Sequence, residues 1–295
     1  MKISRNLILY FYKDLWELEK LNEVQLKEVE ELQQICEAEG FKLKLNWDTL
    51  RSRKRKDSDY FFYEMNRLIG FAAVYDFGDK AEICGMVHPD YRRRGIFTKL
   101  IDAGIVDCLD RKYKTILLNA PAKSASAKGF LQSISCQFAV AEYQMKWGKT
   151  ELFNYEGVKL RPSTHEDAEV EIQLDIQCFG FSEEDARSFH KRMRADEPEQ
   201  VFMIEDEEQR KTIGKIRVDR KSTETWIYGF AIFPEYQGRG FGRRILKQVV
   251  LEEETRGNAI YLEVEATNAH ALRLYEECGF KVIGQQDYYQ YQVKS

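Results

Sequence analysis

Two stretches of this chain carry the same helical stripe. Phe97, Leu100, Ile101, Gly104 and Ile105 follow an i, i+3, i+4, i+7, i+8 spacing, and so do Gly242, Ile245, Leu246, Val249 and Val250. That period puts all five positions on one buried helix face. Polar residues fill the outer face: Lys99 and Asp102 in the first stretch, Arg243, Arg244, Lys247 and Gln248 in the second. Short apolar runs, rich in β-branched and aromatic residues and broken by charged turns, predict strands around these helices. In the first half they fall at Leu7–Tyr12, Tyr60–Tyr63, Leu68–Tyr75 and Ala81–Val87, with a charged helix at Val24–Glu39. In the second half they fall at Val158–Arg161, Val201–Ile204, Thr212–Val218, Trp226–Ile232, Ala259–Val264 and Tyr288–Val293. Thr164-x-x-Asp167 and Ser182-x-x-Asp185 mark two helix starts, and Asn268–Glu277 reads as a further helix.

The stripes belong to a longer repeat. Pro89, Tyr91 and Gly95 recur as Pro234, Tyr236 and Gly240, a constant shift of 145 residues, and the register continues through the helix. Tyr143-Gln144 and Tyr289-Gln290 give the two copies similar ends. A register held across a turn and a helix points to duplication. The expected division is a first domain over 1–150 and a second over 157–295, joined by Gly148–Gly157. A chain of 295 residues is long enough for two cores.

Composition narrows the class. Hydrophobic residues make up 43% and charged residues 32%, a globular balance. The net charge of −4 gives no overall attraction to nucleic acid or an anionic membrane. The basic run Arg51–Lys56 reads as a solvated loop, since no aromatic platform accompanies it. Leu7–Tyr12 is too short for a signal core or a membrane span. Six scattered cysteines without a C-x-x-C, and four histidines without ligand spacing, predict reduced thiols, no metal and a cytoplasmic location.

The candidate chemistry lies in the second copy. Gln237-Gly238-Arg239-Gly240-Phe241-Gly242 stands between a strand and a helix. The first N–H groups of a helix lack intrahelical partners, and the helix dipole makes that end positive. Glycines there either cradle phosphate oxygens or serve tight packing. Arg239, Arg243 and Arg244 add positive charge. No G-K-[ST] follows, and Arg243 occupies the last glycine position of a dinucleotide fingerprint, so both nucleotide motifs fail. Further on, Asn268 reads alone as a helix cap, and Tyr275 as a core aromatic.

Together, Q-x-x-G-x-G after an apolar strand, then N-x-x-A-x-x-L-Y and Gly279-Phe280, resemble the GNAT superfamily of N-acetyltransferases over residues 158–295. The resemblance implies an α/β (α+β) fold: two GNAT-like domains, each a mixed, mostly antiparallel sheet flanked by helices. It implies acetyl-CoA as acyl donor, with Gln237–Gly242 and Arg243 on its pyrophosphate. It implies that Phe230, Ala231 and Ile232 splay from Tyr261–Val264 to admit the pantetheine arm. Asn268 would bond that arm or the phosphate region, and Tyr275 would lie beside the thioester sulfur. A phenol of pKa about 10 can protonate the departing thiolate. Glu224 is read either as the general base or as a solvated turn residue. Cys278 reads as core packing rather than as a nucleophile.

The first copy departs from the pattern. Phe97 replaces the last glycine of the turn, and a shift of 142 sets Ser126, Ser133 and Gln137 against Asn268, Tyr275 and Gly279. It is expected to be GNAT-like in fold but degenerate. The two-domain layout is similar to that of mycothiol synthase-like proteins. The leading expectation is an N-acetyltransferase acting on a small-molecule or peptide amine by direct attack. The alternatives are a non-catalytic coenzyme A sensor or interaction module, and an enzyme using an alcohol acceptor or a longer acyl chain.

Overall fold

A computed structural model describes residues 21–53, 58–151, 156–196 and 201–293. The expected strand at Leu7–Tyr12 lies outside the described residues, as do parts of Arg51–Lys56 and of the Gly148–Gly157 link. The chain divides into two compact units, Met1–Ala141 with Gly284–Ser295, and Glu142–Ile283.

Unit one holds helices α1 (Glu23–Glu37) and α2 (Trp47–Ser52), strands β1 (Asp59–Glu64), β2 (Arg67–Phe77) and β3 (Lys80–Val87), then α3 (Ile96–Asp110), β4 (Thr115–Pro121) and α4 (Ala125–Leu131). Helix α1 starts at a capping box: the Asn22 side chain accepts from Gln25 N–H at 2.9 Å, and the Gln25 side chain accepts from Asn22 N–H at 3.1 Å. Unit two holds β6 (Val158–Pro162), α5 (Ala168–Phe179), α6 (Glu183–Asp196), β7 (Val201–Asp206), β8 (Lys211–Arg220), β9 (Glu224–Ile232), α7 (Phe241–Arg256), β10 (Ala259–Glu265) and α8 (Ala269–Glu277). Strands β5 (Cys136–Trp147) and β11 (Phe280–Tyr291) each run from one unit into the other.

In unit one the strand order is β1-β2-β3-β4-β11, and in unit two β5-β10-β9-β8-β7-β6. Both sheets are mixed and mostly antiparallel; the parallel pairs are β3 with β4 and β9 with β10. The striped helices pack as their period requires. Leu100, Ile101 and Ile105 of α3 bury against Val74, Ile83 and Leu118. Ile245, Leu246 and Val249 of α7 bury against Ile216, Ile227 and Leu262. The opposite faces are covered by α1, through Val29 and Leu32, and by α5, through Leu174. Each fully buried Leu or Ile contributes about 1.5–3 kcal/mol.

The compact units differ from the contiguous division expected at 150 and 157. Strand β11 begins at Phe280, not Tyr288, and its end pairs antiparallel with β4, Gln286 opposite Pro121 through Gln290 opposite Leu117. The matching place beside β10 is taken by β5, Lys146 opposite Tyr261 and Glu142 opposite Glu265. The carboxy-terminal strand therefore completes unit one. Tyr288 anchors it: its ring is 2% exposed, and Lys44 Nζ donates to its hydroxyl at 2.5 Å. Gln286 adds a side-chain bond to the Lys42 carbonyl at 2.9 Å.

Removing that anchor tests the arrangement. Tyr288→Ala is expected to destabilise unit one by about 3–5 kcal/mol, the usual cost of emptying a buried aromatic site. Hydrogen exchange should then speed up at Leu117–Ala120 of β4 and stay slow in α7. Unchanged exchange in β4 would refute the anchoring role.

Candidate functional site

The site in unit two begins with a mismatch between strands. In the β8–β9 ladder, Lys215 stands opposite Ala231 and Arg217 opposite Tyr228. Between these pairs β8 supplies Ile216, whereas β9 supplies Gly229 and Phe230. The extra residue is a β-bulge, which re-aims the backbone around it. Gly229 takes φ +52°, a conformation that a Cβ disfavours.

Beside the bulge, the parallel ladder stops. β9 pairs with β10 from Glu224/Ala259 to Ile227/Leu262, two residues short of Gly229. Past that point the backbone groups of β9 that face β10 leave the ladder. The segment Phe230-Ala231-Ile232 lies in this unpaired stretch, with Ala231 and Ile232 buried. Helix α5 braces the other face of the bulge. Lys215, beside Ala231, donates to Asp175 Oδ1 at 2.7 Å and to the Glu171 carbonyl at 3.1 Å. Both side chains are buried, and burial raises the Asp175 carboxyl above its ordinary range despite the lysine.

Downstream, β9 leads through a 3₁₀ turn, Pro234–Tyr236, into the glycine segment. Gly238 and Gly240 take φ +74° and +79°, and Gly240 caps α7 without any side-chain hydrogen bond to its first amides. Residues Gln237 to Gly240 are exposed, and a Cβ at either glycine would meet nothing within 4 Å. The first amides of α7 are thus uncapped by any side chain, at a surface with room for an anion. The Gln237 side chain turns back and donates to the Ile232 carbonyl at 2.7 Å. Arg244 braces the turn through the Arg239 and Glu156 carbonyls, both at 3.2 Å, and lies over the Phe241 ring. Arg239 lies over the Tyr236 ring, and Arg243 pairs with Glu277. At Gly242 a Cβ would come within 3.2 Å of Leu274, so this glycine lets α7 and α8 approach.

Asn268 caps α8, its carboxamide oxygen accepting from Ala271 N–H at 3.0 Å. Tyr275 sits two turns along α8, 8% exposed, its ring 6.2 Å from Phe280. Burial, with the Cys278 thiol adding to it, pushes the phenol up to about 12. The Cys278 thiol is itself pushed up to about 11 by burial, so it stays uncharged at neutral pH.

Glu224 falls elsewhere. It opens β9 opposite Ala259, five residues before the bulge, and accepts from the Trp226 indole at 3.1 Å. Five residues of strand span about 16 Å. Glu263 is nearer: it follows the last parallel pair, level with Tyr228, and accepts from the Gln144 side chain at 3.1 Å. The alternation Leu262-Glu263-Val264, with Leu262 and Val264 buried, was the available sequence signal for a carboxylate on the opposite sheet face.

The family model described as "Acetyltransferase (GNAT) family" matches residues 26–133 and 168–280, more than half of the chain. The chain belongs to the GNAT acetyltransferase family. It is 38% identical over 72 residues to the spermine/spermidine N(1)-acetyltransferase of Bacillus subtilis (strain 168), covering 24% of this chain and 47% of that protein. It is 45% identical over 58 residues to the [ribosomal protein bS18]-alanine N-acetyltransferase of Escherichia coli (strain K12), covering 19% of this chain and 39% of that one. The chain thus spans less than half the length of these curated relatives. Among solved structures, a GCN5-related N-acetyltransferase from Sphaerobacter thermophilus aligns with TM-score 0.77 and 18% identity, over 94% of this chain and 95% of that one. A tandem GNAT protein from the clavulanic acid biosynthesis pathway aligns with TM-score 0.66 and 14% identity, over 94% and 98%. At these identities the likeness concerns the fold.

Both GNAT matches can be compared position by position. Ser124 caps α4 through Ala127 N–H as Asn268 caps α8. Strands β4 and β10 start at Thr115 and Ala259, and β5 and β11 at Cys136 and Phe280. The structural shift here is 144, which corrects the shift of 142 read from Phe138 and Phe280. Phe138 is exposed and Phe280 buried, so the two phenylalanines are not equivalent. Tyr275 is matched by Leu131, and Asn268 by Ser124. Unit one also lacks the bulge, since β2 and β3 pair without a register shift from Gly70/Val87 to Phe77/Lys80. It keeps the turn: Arg93 and Gly95 hold φ +65° and +75°, where Gly238 and Gly240 hold theirs.

The raised phenol gives a direct test. Burial favours the neutral form, so Tyr275 should add no pH dependence below about pH 10 and cost stability as pH rises from about 10 to about 12. Ultraviolet difference titration of the native chain against Tyr275→Phe should show its tyrosinate step near 12. A step near 10 would mean that the phenol is solvated.

Proposed function

We propose that unit two transfers an acetyl group from acetyl-CoA to an amine by direct attack within a ternary complex. The observation that carries this is the bulge at Gly229, lying just past the end of the β9–β10 ladder. Strands parted beside a re-aimed backbone leave room for an extended arm and a free N–H for a carbonyl oxygen. When bound, the coenzyme supplies the activated thioester.

Every other role falls to this chain. The amides from Gly238 to Gly242, with the charge of Arg239, would hold the diphosphate. Arg244 stiffens that turn, and Arg243 ties the start of α7 to Glu277 of α8. Phe230, Ala231 and Ile232 would line the arm, and Asn268 keeps the start of α8 in place beside it. A backbone N–H at the bulge would stabilise the developing oxyanion. Tyr275 would donate its proton to the departing thiolate; its high pKa keeps that proton available at neutral pH. Glu263, rather than Glu224, would take the proton of the attacking amine, directly or through water.

The relatives named above act on spermine, spermidine or the alanine of a ribosomal protein, which supports a small or peptide amine as acceptor. Six free cysteines are in keeping with a cytoplasmic setting.

Steady-state kinetics with an amine panel and acetyl-CoA tests these roles. Tyr275→Phe is expected to lower kcat by about 10²–10⁴ with little change in KM. Gly240→Val, which forces a branched residue to φ near +79°, should mainly raise KM for acetyl-CoA. Glu263→Gln should remove the acid limb of the kcat/KM profile, and Glu224→Gln should keep it. Full turnover in Tyr275→Phe would eliminate the acid role, and a profile altered only by Glu224→Gln would return the base to that residue.

A further inference from the structure

Between α5 and the bulge of unit two lies a set of buried charged groups that the proposed chemistry does not use. Lys215 is 7% exposed and Asp175 3%, and Nζ of the one meets Oδ1 of the other at 2.7 Å. The second Asp175 oxygen, Oδ2, is buried without a hydrogen-bond partner. Glu171, one turn earlier on α5, is also buried; Ser163 donates to its Oε1, and His190 Nε2 of α6 stands 3.5 Å from its Oε2. Burying such groups is costly, and apolar side chains of similar volume often give equal or better stability. Stability alone therefore gives no reason for the pair.

Unit one shows the apolar alternative. The pair Gly214/Ile232 of β8 and β9 corresponds to Gly70/Val87 of β2 and β3, so Lys215 opposite Ala231 corresponds to Phe71 opposite Met86. On the helix side, the Cys178 thiol donates to the Ile232 carbonyl at 3.4 Å, as the Cys36 thiol donates to the Val87 carbonyl at 3.5 Å. Counted from that shared contact, Leu174 matches Leu32, Glu171 matches Val29 and Asp175 matches Gln33. Phe71, Val29 and Leu32 form an ordinary apolar core. A second difference accompanies this one. The next pair, Arg217/Tyr228, corresponds to Ala73/Cys84, and unit one then has Gly85 where unit two has Gly229-Phe230. The charges stand in the unit that has the bulge, and Phe71, Val29 and Gln33 take their places in the unit that does not.

The geometry gives a reason for this association. Apolar burial is non-directional and holds a helix on a sheet without fixing its level. Lys215 Nζ instead makes two directed bonds to α5, to Asp175 Oδ1 at 2.7 Å and to the Glu171 carbonyl at 3.1 Å. Its strand is pressed against β9 at this place: a Cβ on the preceding Gly214 would come within 2.3 Å of the Ala231 carbonyl oxygen. Ala231 packs in one cluster with Leu174, and Ile232 takes the Cys178 bond. The two residues after Gly229-Phe230 are thus held at a fixed level by both strand and helix. The extra residue of β9 is then taken up at Gly229, at φ +52°.

We propose that Lys215 and Asp175 are positioning residues for acetyl transfer, fixing the β9 bulge so that a backbone N–H within residues 229–231 meets the thioester carbonyl oxygen. The proposal rests on the acetyl-transfer reading of unit two. In this role the two side chains touch neither coenzyme nor acceptor and act through β9. With the pair gone, the extra residue can redistribute along the strand, and the N–H loses its aim. A displacement of this kind slows the chemical step and leaves the diphosphate site at residues 238–242 as it was.

Two variants of the full chain separate aim from stability. Lys215→Met leaves Asp175 buried without its partner and should lower the unfolding temperature. Lys215→Met combined with Asp175→Leu replaces the pair by apolar side chains and should return the unfolding temperature to that of the wild type. With acetyl-CoA and a panel of spermine, spermidine and a peptide with amino-terminal alanine, the double variant should still lose about 10²-fold in kcat at unchanged KM for acetyl-CoA. Its amide hydrogen exchange should speed up at residues 229–231 and stay slow in α7. Wild-type kcat in the restored double variant, or wild-type exchange at residues 229–231, overturns the positioning role, while transfer by the wild type keeps the reading of unit two. A double variant as unstable as Lys215→Met also overturns it, since the pair would then serve stability. No transfer by the wild type overturns the reading of unit two, and exchange at residues 229–231 then decides by itself whether the pair holds the bulge.

Discussion

The site of unit two depends on the way a parallel pair of strands comes apart. Two adjacent strands in one sheet normally keep every backbone group in a ladder, because an unmet buried amide is costly. The extra residue at Gly229 breaks that continuity from the side of β8. The β9–β10 ladder then ends at Ile227 and Leu262, while β9 runs on to Ile232 and the glycine turn. Groups released from the ladder become available to a ligand. The buried Lys215–Asp175 pair gives this opening a rigid back wall, since a charge pair with so little exposure tolerates small displacements poorly.

Much of this was legible in the residues. The striped helices were visible because each must bury one face against a sheet, and the period of 3.6 exposes that demand directly. The turn from Gln237 to Gly242 was visible because left-handed backbone positions select glycine. Other features depend on pairing partners, which one strand cannot reveal. A bulge is a count of two residues against one, so Tyr228-Gly229-Phe230 reads as uninterrupted strand until Arg217-Ile216-Lys215 is set beside it. Glu263 was hidden for the same reason. Its place level with Tyr228 comes from the pairing of β9 with β10, not from its neighbours in sequence. The exchange of last strands was hidden because nothing in the residues of β5 and β11 says that β5 pairs with β10 and β11 with β4.

The two GNAT repeats share some features and differ in others. Both keep the strand-turn-helix unit, the left-handed residues before the helix and the cap on the helix after the second parallel strand. Those features persist where Tyr275 has become Leu131 and the bulge is missing, so the fold does not require the phenol or the bulge. Arg93 sharpens the contrast. An arginine held at φ +65° costs energy that a glycine would not, yet the turn stays in the conformation of its glycine counterpart. Conformation has been kept at that end of unit one, while Leu131 stands in the place of Tyr275 and the β8–β9 bulge has no counterpart.

Strand exchange gives this retention a further physical basis. Unit two is continuous in sequence, from Glu142 to Ile283, but unit one needs Gly284–Ser295 to complete its sheet. The first repeat alone would present the open edge of β4, including the buried-strand residues Ile116, Leu118 and Ala120, without β11. An edge of that kind invites pairing with other chains. With β11 in place, Tyr288 fills the adjoining core and its hydroxyl meets Lys44. The tail that leaves the proposed catalytic unit is thus consumed in closing the other one. Without the first repeat, β11 would lose its ladder with β4 and Tyr288 its buried site, so packing alone ties the end of the second repeat to the first.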